Sequence, residues 1–268
     1  MRLSIATALF MLTAVTAVNA YKADDLNKLN ESGNCPDCDL RGIELQYKDM
    51  KGAEMRKTNL RDSMLKQIDL SNADLSGADM RRSDLEKSTL VSADLENAIL
   101  QDADMEKAVM SGANLSRANL RGADFDSANV ENGNFRNADI RKAYFKRANL
   151  KNADFSDAKV SETNFKRANM SGVIMVNAEL DETNFTRANL TDARMEKANL
   201  SHANFYRAIL VNADMTGARL SKATFWGANL SGANLESARG LEQEQLEGAC
   251  GNTETALPGK LKLKPCRE

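Results

Sequence analysis

The chain has 268 residues, 42% hydrophobic, 28% charged and only 5% aromatic, with a formal net charge of −2 and one histidine. That length is enough to bury a large core in one or two domains. Near-neutral charge gives no electrostatic reason to bind nucleic acid or an anionic surface. With His202 as the sole histidine, multi-histidine metal sites and most histidine-dependent catalysis are excluded.

In chain order, residues 1–20 come first: Arg2, an apolar run from Leu3 to Val18, then Asn19-Ala20. A short basic start, an apolar stretch and a small-residue end predict a signal peptide cleaved after Ala20. The apolar core is too short for an anchor, and no cysteine follows the cleavage point. The sequence therefore predicts a periplasmic or secreted protein with no membrane insertion after cleavage, in a compartment where disulfides form. Residues 21–37 form an N-terminal cap. In it Ala23-Asp-Asp-Leu-Asn-Lys-Leu29 predicts a short helix with Leu26 and Leu29 as its apolar stripe.

From Leu40 to Leu235, every residue whose number is a multiple of five is Leu, Met, Phe, Ile or Val, forty positions without exception. Two residues earlier stands Ala in 28 of the forty, and one residue earlier stands Asp or Asn in 26. Five suits neither regular element. On a helix five steps move the apolar residue by about 140°, and on a flat strand consecutive apolar residues would face opposite sides. A bend in every unit resolves this: three extended residues put Ala and Leu on one side and Asp/Asn on the other, and two polar residues turn the corner. The result is a solenoid over residues 38–240 with Ala and Leu inside.

The phenylalanines give the coil length. Phe125, Phe145, Phe165, Phe185, Phe205 and Phe225 share one register modulo twenty, and Phe135 and Phe155 share the opposite one. Twenty residues per coil gives four sides, about ten coils, and a rod roughly 48 Å long at about 4.8 Å between neighbouring strands. The six-membered register is expected to stack ring on ring as a core ladder. Residues 241–268 follow as a C-terminal cap, with Leu241-Glu-Gln-Glu-Gln-Leu-Glu247 reading as a second short helix.

Units such as Ala73-Asp-Leu-Ser-Gly, Ala113-Asn-Leu-Ser-Arg and Ala233-Asn-Leu-Glu-Ser resemble the pentapeptide repeat family. The resemblance implies an all-β fold, a right-handed quadrilateral β-helix, here with short helical caps. The flanks are similar to those of exported bacterial members with paired terminal cysteines. Cys35-Pro-Asp-Cys38 leaves three readings. A redox site needs a βαβ context that is absent, and a zinc site needs two further ligands nearby, whereas Cys250 and Cys266 belong to the other end. Local disulfides, Cys35–Cys38 and Cys250–Cys266, are favoured.

Stacked coils turn a twenty-residue spacing into a column of side chains. Lys87, Lys107, Arg147, Arg167, Arg187 and Arg207 form one, Arg41, Arg61, Arg81, Arg121 and Arg141 another, and Glu44, Asp84, Asp104 and Asp124 lie between them. Mutual charge compensation is the simple expectation. Towards the C-terminus Asn164, Asn184 and Asn204 replace the acids, which leaves Arg167, Arg187 and Arg207 as candidate partner contacts. Tyr206 and Trp226 join them, unless the C-terminal segment folds back over both. No nucleophile–base pair, phosphate loop or dinucleotide fingerprint is present, so no cofactor, no metal site and no enzyme activity are expected. His202 shares a column only with Glu162 and Glu182.

Well-known members of the resembled family bind DNA gyrase by imitating DNA, which needs an acidic rod. Residues 38–240 carry 29 acidic and 29 basic side chains, which argues against that activity. The expected function is a non-enzymatic structural or protein-interaction module of the bacterial envelope. It would bind a protein or glycan along one face. The alternative is a regulator or inhibitor of an enzyme acting through its C-terminal surface. A homodimer through a terminal cap, by the Leu241/Leu246 segment, is a further expectation.

Overall fold

The computed structural model describes residues 21–266, so the expected signal segment lies outside the described residues. Helix α1 spans Ala23–Ser32. From Asp39 to Arg239 the backbone then repeats one short extended piece and one turn every five residues. Parallel bridges join residues twenty apart, from Asp39↔Asn59 to Arg219↔Arg239, so one coil takes twenty residues and four turns. The chain is a repeat β-helix solenoid.

One unit shows why the repeat needs its residue types. Leu70 N–H donates to Thr89 O of the next coil (2.7 Å), and Asn72 N–H to Val91 O (2.9 Å). Asp74 N–H donates back to Ala53 O of the preceding coil (3.0 Å), and Ala73 N–H closes the turn on Leu70 O (3.0 Å). Four of the five backbone donors are thus satisfied by backbone. The fifth, Ser71 N–H, donates to Asp69 Oδ1 at 3.0 Å. The same bond recurs from Glu106 to Asp104, Asp126 to Asp124 and Tyr206 to Asn204. The Asp/Asn signature is therefore more than an outward polar residue. It supplies the acceptor that the coil lacks, an Asx turn repeated along the rod.

The turn has a second requirement that the sequence hides. Asn72, third residue of its turn, has φ 59°, and every fifth residue from Asp37 to Gly232 is likewise left-handed, including Arg82, Lys107, Arg147 and Glu162. This is the pattern of a type II turn, whose third position favours glycine or Asn. Non-glycine residues there cost about 1 kcal/mol. They persist because an inter-coil bond from the N–H group, present for Asn72, Arg82, Lys107, Arg147 and Glu162 and missing at Lys222 of the last coil, fixes the conformation.

Inside, the repeating apolar positions from Leu40 to Leu235 are buried, except that Met50 is only partly so. Phe125, Phe145, Phe165, Phe185, Phe205 and Phe225 stack with centroid spacings of 4.5, 5.2, 5.4, 5.0 and 4.9 Å. Phe135 and Phe155 stack at 4.4 Å and meet the first column edge-on. Where Thr replaces the buried Ala, its hydroxyl donates to a carbonyl of the preceding coil, as in Thr58 to Cys35 O (2.6 Å) and Thr163 to Ile140 O (2.8 Å). Ser88 Oγ has no partner among the described residues.

At the N-terminal end α1 buries Leu29 and packs Leu26 beside it. Its Asp25 carboxylate accepts Asp39 N–H (2.8 Å), while Lys22 N–H donates to Asp39 O (3.1 Å). Cys35 and Cys38 sulfurs lie 2.01 Å apart, and Cys250 and Cys266 sulfurs 1.97 Å apart. At the other end the ladder continues irregularly, Asn229 to Cys250 and Asn234 to Ala256. Strand β1, Cys250–Gly251, then pairs in parallel with β2, Lys264–Pro265. The outermost strand thus carries Lys and Pro, residues that discourage further strand addition.

The expected helix over Leu241–Glu247 is corrected to a single 3₁₀ turn, Gln243–Leu246. The Gln245 side chain is drawn onto the end-coil carbonyls of Leu220 (2.7 Å) and Ala223 (2.9 Å). Gly248, at φ 78°, then turns the chain away after one turn.

Candidate interaction face

One side of the solenoid differs from the others. Its middle column runs Glu44, Met64, Asp84, Asp104, Asp124, Tyr144, Asn164, Asn184, Asn204, Thr224, each bridged to the next. The adjoining corner carries Lys66, Glu86, Glu106, Asp126, Lys146, Lys166, Thr186, Tyr206 and Trp226 in register, and beside them the Lys87–Arg207 column. The Phe125–Phe225 stack lies directly behind, because each ring is the residue following a middle-column position.

In the N-terminal half the side is acidic and ion-paired. Lys66 Nζ lies 3.1 Å from Asp84 and 2.9 Å from Glu86, and Lys87 Nζ lies 2.8 Å from Glu86. Hydrogen bonds from Lys87 and then Lys66 hold the Glu86 carboxyl down at about 2. Lys107 pairs with Glu106. Arg81 turns to Asp79 and Arg141 to Asp139, away from the middle column. The expected compensation of the acidic column by its flanking bases is therefore corrected. Only Asp84 is compensated, by Lys66; Lys87, Lys107, Arg81 and Arg141 are taken by other acids, and Asp104 and Asp124 have no ion pair among the described residues. Burial pushes both carboxyls above the ordinary range, opposed by the N–H groups of Glu106 and Asp126 and reinforced by neighbouring carboxylates.

The C-terminal half reverses this. From Tyr144 onward these columns hold no acid. Lys146, Arg147, Lys166, Arg167, Arg187 and Arg207 make no ion pair among the described residues. Arg167, Arg187 and Arg207 are exposed, as expected, and the Arg207 guanidinium lies 5.3 Å from the Tyr206 ring centroid. Such contacts stabilise by about 0.5–1 kcal/mol at an exposed site.

Trp226 is 59% exposed, and Tyr206 is half-buried. The C-terminal segment does not cover the pair. It approaches the indole closely at Gly248: a Cβ there would stand 2.8 Å from the Trp226 ring, so glycine is required for that approach. Trp226, Gln243, Glu247, Lys262 and Lys264 border a shallow recess there. Two further exposed aromatics on this side, Tyr47 and Tyr144, were not singled out by the sequence reading. Tyr144 was legible in principle, as an aromatic standing in the Asp/Asn position.

Among the described residues no group of His, Cys, Asp and Glu is placed to hold a metal ion, and no helix is long and apolar enough to cross a membrane. His202 is exposed in its corner column.

Sequence comparison agrees with this geometry. "Pentapeptide repeats" matches residues 34–72, 53–90, 163–201 and 198–236, and "Pentapeptide repeat region" matches 78–155. The chain belongs to the pentapeptide repeat family. Among solved pentapeptide repeat proteins, HetL from the cyanobacterium Nostoc sp. strain PCC 7120, involved in heterocyst differentiation regulation, is 29% identical. It aligns over 79% of this chain and 96% of its own, with TM-score 0.41. QnrB1, a plasmid-mediated fluoroquinolone resistance protein, is 18% identical over 80% of this chain and 91% of its own in a trypsin-treated form, with TM-score 0.27. A thylakoid-lumen pentapeptide repeat protein of Arabidopsis thaliana is 24% identical over 58% and 70%, with TM-score 0.15. No curated protein sequence matches the chain.

Proposed function

We propose that this chain is a non-enzymatic interaction rod of the bacterial envelope, exported by residues 1–20 and binding a partner protein or glycan along the side that carries Arg167, Arg187 and Arg207. In this reading the solenoid is a right-handed, four-sided rod of about ten coils. Residues 21–37 and 241–268 close its ends. The observation that carries the reading is the run of six cations without ion pairs beside Tyr144, Tyr206 and Trp226. The other cations of that side, Lys66, Lys87 and Lys107, are already matched by Asp84, Glu86 and Glu106. Aromatic and Arg side chains displayed together dominate binding hot spots. The unpaired cations need only partial desolvation to meet an acidic partner. Two disulfide-distance cysteine pairs fit an oxidising compartment.

The test is capture from envelope extract with the purified protein and with an Arg167/Arg187/Arg207 triple Ala variant. Loss of the captured species in the variant supports the face as the contact, and unchanged capture overturns it. A second reading, inhibition or regulation of an enzyme through the C-terminal surface, is favoured by the half-open Trp226 recess. It predicts that Trp226→Ala alone abolishes binding.

A further inference from the structure

The change of sign on the candidate face falls at a particular place. The middle column has ten members, five from Glu44 to Asp124 and five from Tyr144 to Thr224. The acidic stretch ends at Asp124–Asp126 and the basic stretch begins at Tyr144–Lys146. The boundary is thus the midpoint of the solenoid. Resting on the reading of this side as a binding face, we propose that its partner is a second copy of this chain, packed side against side with the rods antiparallel.

A two-fold axis lying in the interface, perpendicular to the rods and crossing between Asp124 and Tyr144, places each column against its own reverse. All ten coils then overlap. On either side of the axis Asp126 meets Lys146, Glu106 meets Lys166, and Asp104 meets Asn164. Asp124 meets the Tyr144 hydroxyl. Of the carboxylates of this side that have no ion pair among the described residues, Glu44 lies at the end of the column, and Asp104, Asp124 and Asp126 lie on the two coils nearest the axis. So do the cations Lys146, Arg147, Lys166 and Arg167.

Further out, Glu86 meets the Thr186–Arg187 corner, and Lys66 meets Tyr206. At the extremes Tyr47, 69% exposed, comes beside Trp226, 59% exposed. Of the six exposed large apolar side chains among the described residues, Tyr47, Met64, Tyr144 and Trp226 are all on this side. Matches of like sign also occur: Lys87 with Arg187 and Lys107 with Arg167, where the lysines are already paired to Glu86 and Glu106, and, at the other corner, Arg121 with Arg141, which is paired to Asp139, and Asp102 with Glu162.

Two further features favour a second copy over an unrelated acidic partner. Identical rods share the same coil spacing of about 4.8 Å, so facing columns stay in register without strain along the whole length. The side also carries both signs in separate blocks, and an acidic ligand would use only one of them. An isologous contact must be self-complementary, and this one is. Its attraction comes from partly exposed charges, so it is steeply salt-dependent.

The experiment is sedimentation of the full mature chain with two charge-reversal variants, Glu86→Lys/Glu106→Lys and Lys166→Glu/Arg187→Glu. The wild type is expected to be a dimer at about 0.01 M ionic strength, where the Debye length is about 30 Å, and a monomer at about 1 M, where it is about 3 Å. Each variant alone sets like charges across the axis and is expected to associate more than about tenfold more weakly. An equimolar mixture of the two restores every match and the dimer. A wild type that stays monomeric at low ionic strength overturns the proposal, as does a mixture that fails to recover.

Retention on a poly-glutamate resin separates this proposal from the reading it rests on. A monomeric wild type that is retained, with retention lost in Lys166→Glu/Arg187→Glu, keeps the binding face and removes the second copy as its partner. No dimer and no retention removes both.

Discussion

The two halves of the rod share one backbone and differ both inside and out. The N-terminal half fills its core mostly with Leu and Met and ties up the cations of the candidate face within the chain, as it does Lys66 with Asp84 and Glu86. The C-terminal half stacks Phe behind the same side and leaves Arg167, Arg187 and Arg207 without ion pairs among the described residues. A repeat constrains only what the coil needs: a small residue and a large apolar one inside, an acceptor for one N–H, and a residue tolerant of a left-handed turn. All other positions are free to vary along the length, and information about function is therefore confined to differences between coils.

The largest expected effect tests the inner difference. Phe165→Ala removes a buried ring stacked 5.2 Å from Phe145 and 5.4 Å from Phe185. It should cost about 3–5 kcal/mol. Leu85→Ala, at the corresponding position of the N-terminal half, should cost less, because no ring pairs worth about 0.5–1.5 kcal/mol each are lost. Equal losses in denaturant melts would mean that the stack contributes no more than its buried area.

The ends offer a second comparison. The Cys250–Cys266 pair closes a separation of 16 residues and the Cys35–Cys38 pair one of 3. Loop-closure entropy gives about 3 kcal/mol for a loop of the larger size. Cys266→Ser should therefore destabilise the chain by up to that amount, and Cys38→Ser by less. Denaturant midpoints of the two variants under oxidising conditions check the order. The reverse order would show that the N-terminal pair acts by holding the first coil rather than by shortening a loop.

These comparisons also explain what could be read from the sequence. The core was legible because forty positions obey one rule, and the Phe register gave the coil length because rings must stack to fit. The left-handed turn residues were not legible. Arg147, Lys107 and Glu162 look like ordinary surface residues, and only the inter-coil hydrogen bond reveals that their φ is positive. The ion pairs were misread for a related reason. Columns give proximity, but the side-chain path sends Lys87 to Glu86 and Arg81 to Asp79 instead of to the middle column. The helix expected at Leu241–Glu247 failed because its apolar spacing is shared by a single turn whose Gln245 is bound to the end coil.

A smaller effect concerns the acceptor of the coil. Asn164 Oδ1 accepts Lys166 N–H at 3.1 Å, the one donor that the backbone leaves unsatisfied in that unit. Asn164→Ala should cost about 0.5–2 kcal/mol, as loss of a capping acceptor does elsewhere, and Asn164→Asp should keep most of it. Thermal melts that rank Ala with Asp would show that water replaces the side chain at no cost.

The smallest effect is a gain, and it separates stability from association. In the folded chain the Asp104 carboxyl is raised above its ordinary value, chiefly by burial and further by Asp84 and Asp124. A carboxyl with a raised folded value gives its stabilising share below the unfolded value and loses it as pH rises through the folded one. At neutral pH the charge on Asp104 therefore opposes folding, and Asp104→Asn should raise stability slightly. The isosteric amide keeps the Oδ1 acceptor for Glu106 N–H, which lies 2.9 Å away. It can also join a side-chain ladder of the kind formed by Asn134 to Asn114 (3.0 Å) and Asn114 to Asp94 (2.9 Å). The gain should vanish on acidification, when Asp104 in the wild type takes up its proton. Melts in high salt, where the rods are separate, isolate this effect. In low salt the same substitution removes a charge beside the two-fold axis and should weaken self-association. One variant then moves the two quantities in opposite directions, which a purely structural role for Asp104 would not produce.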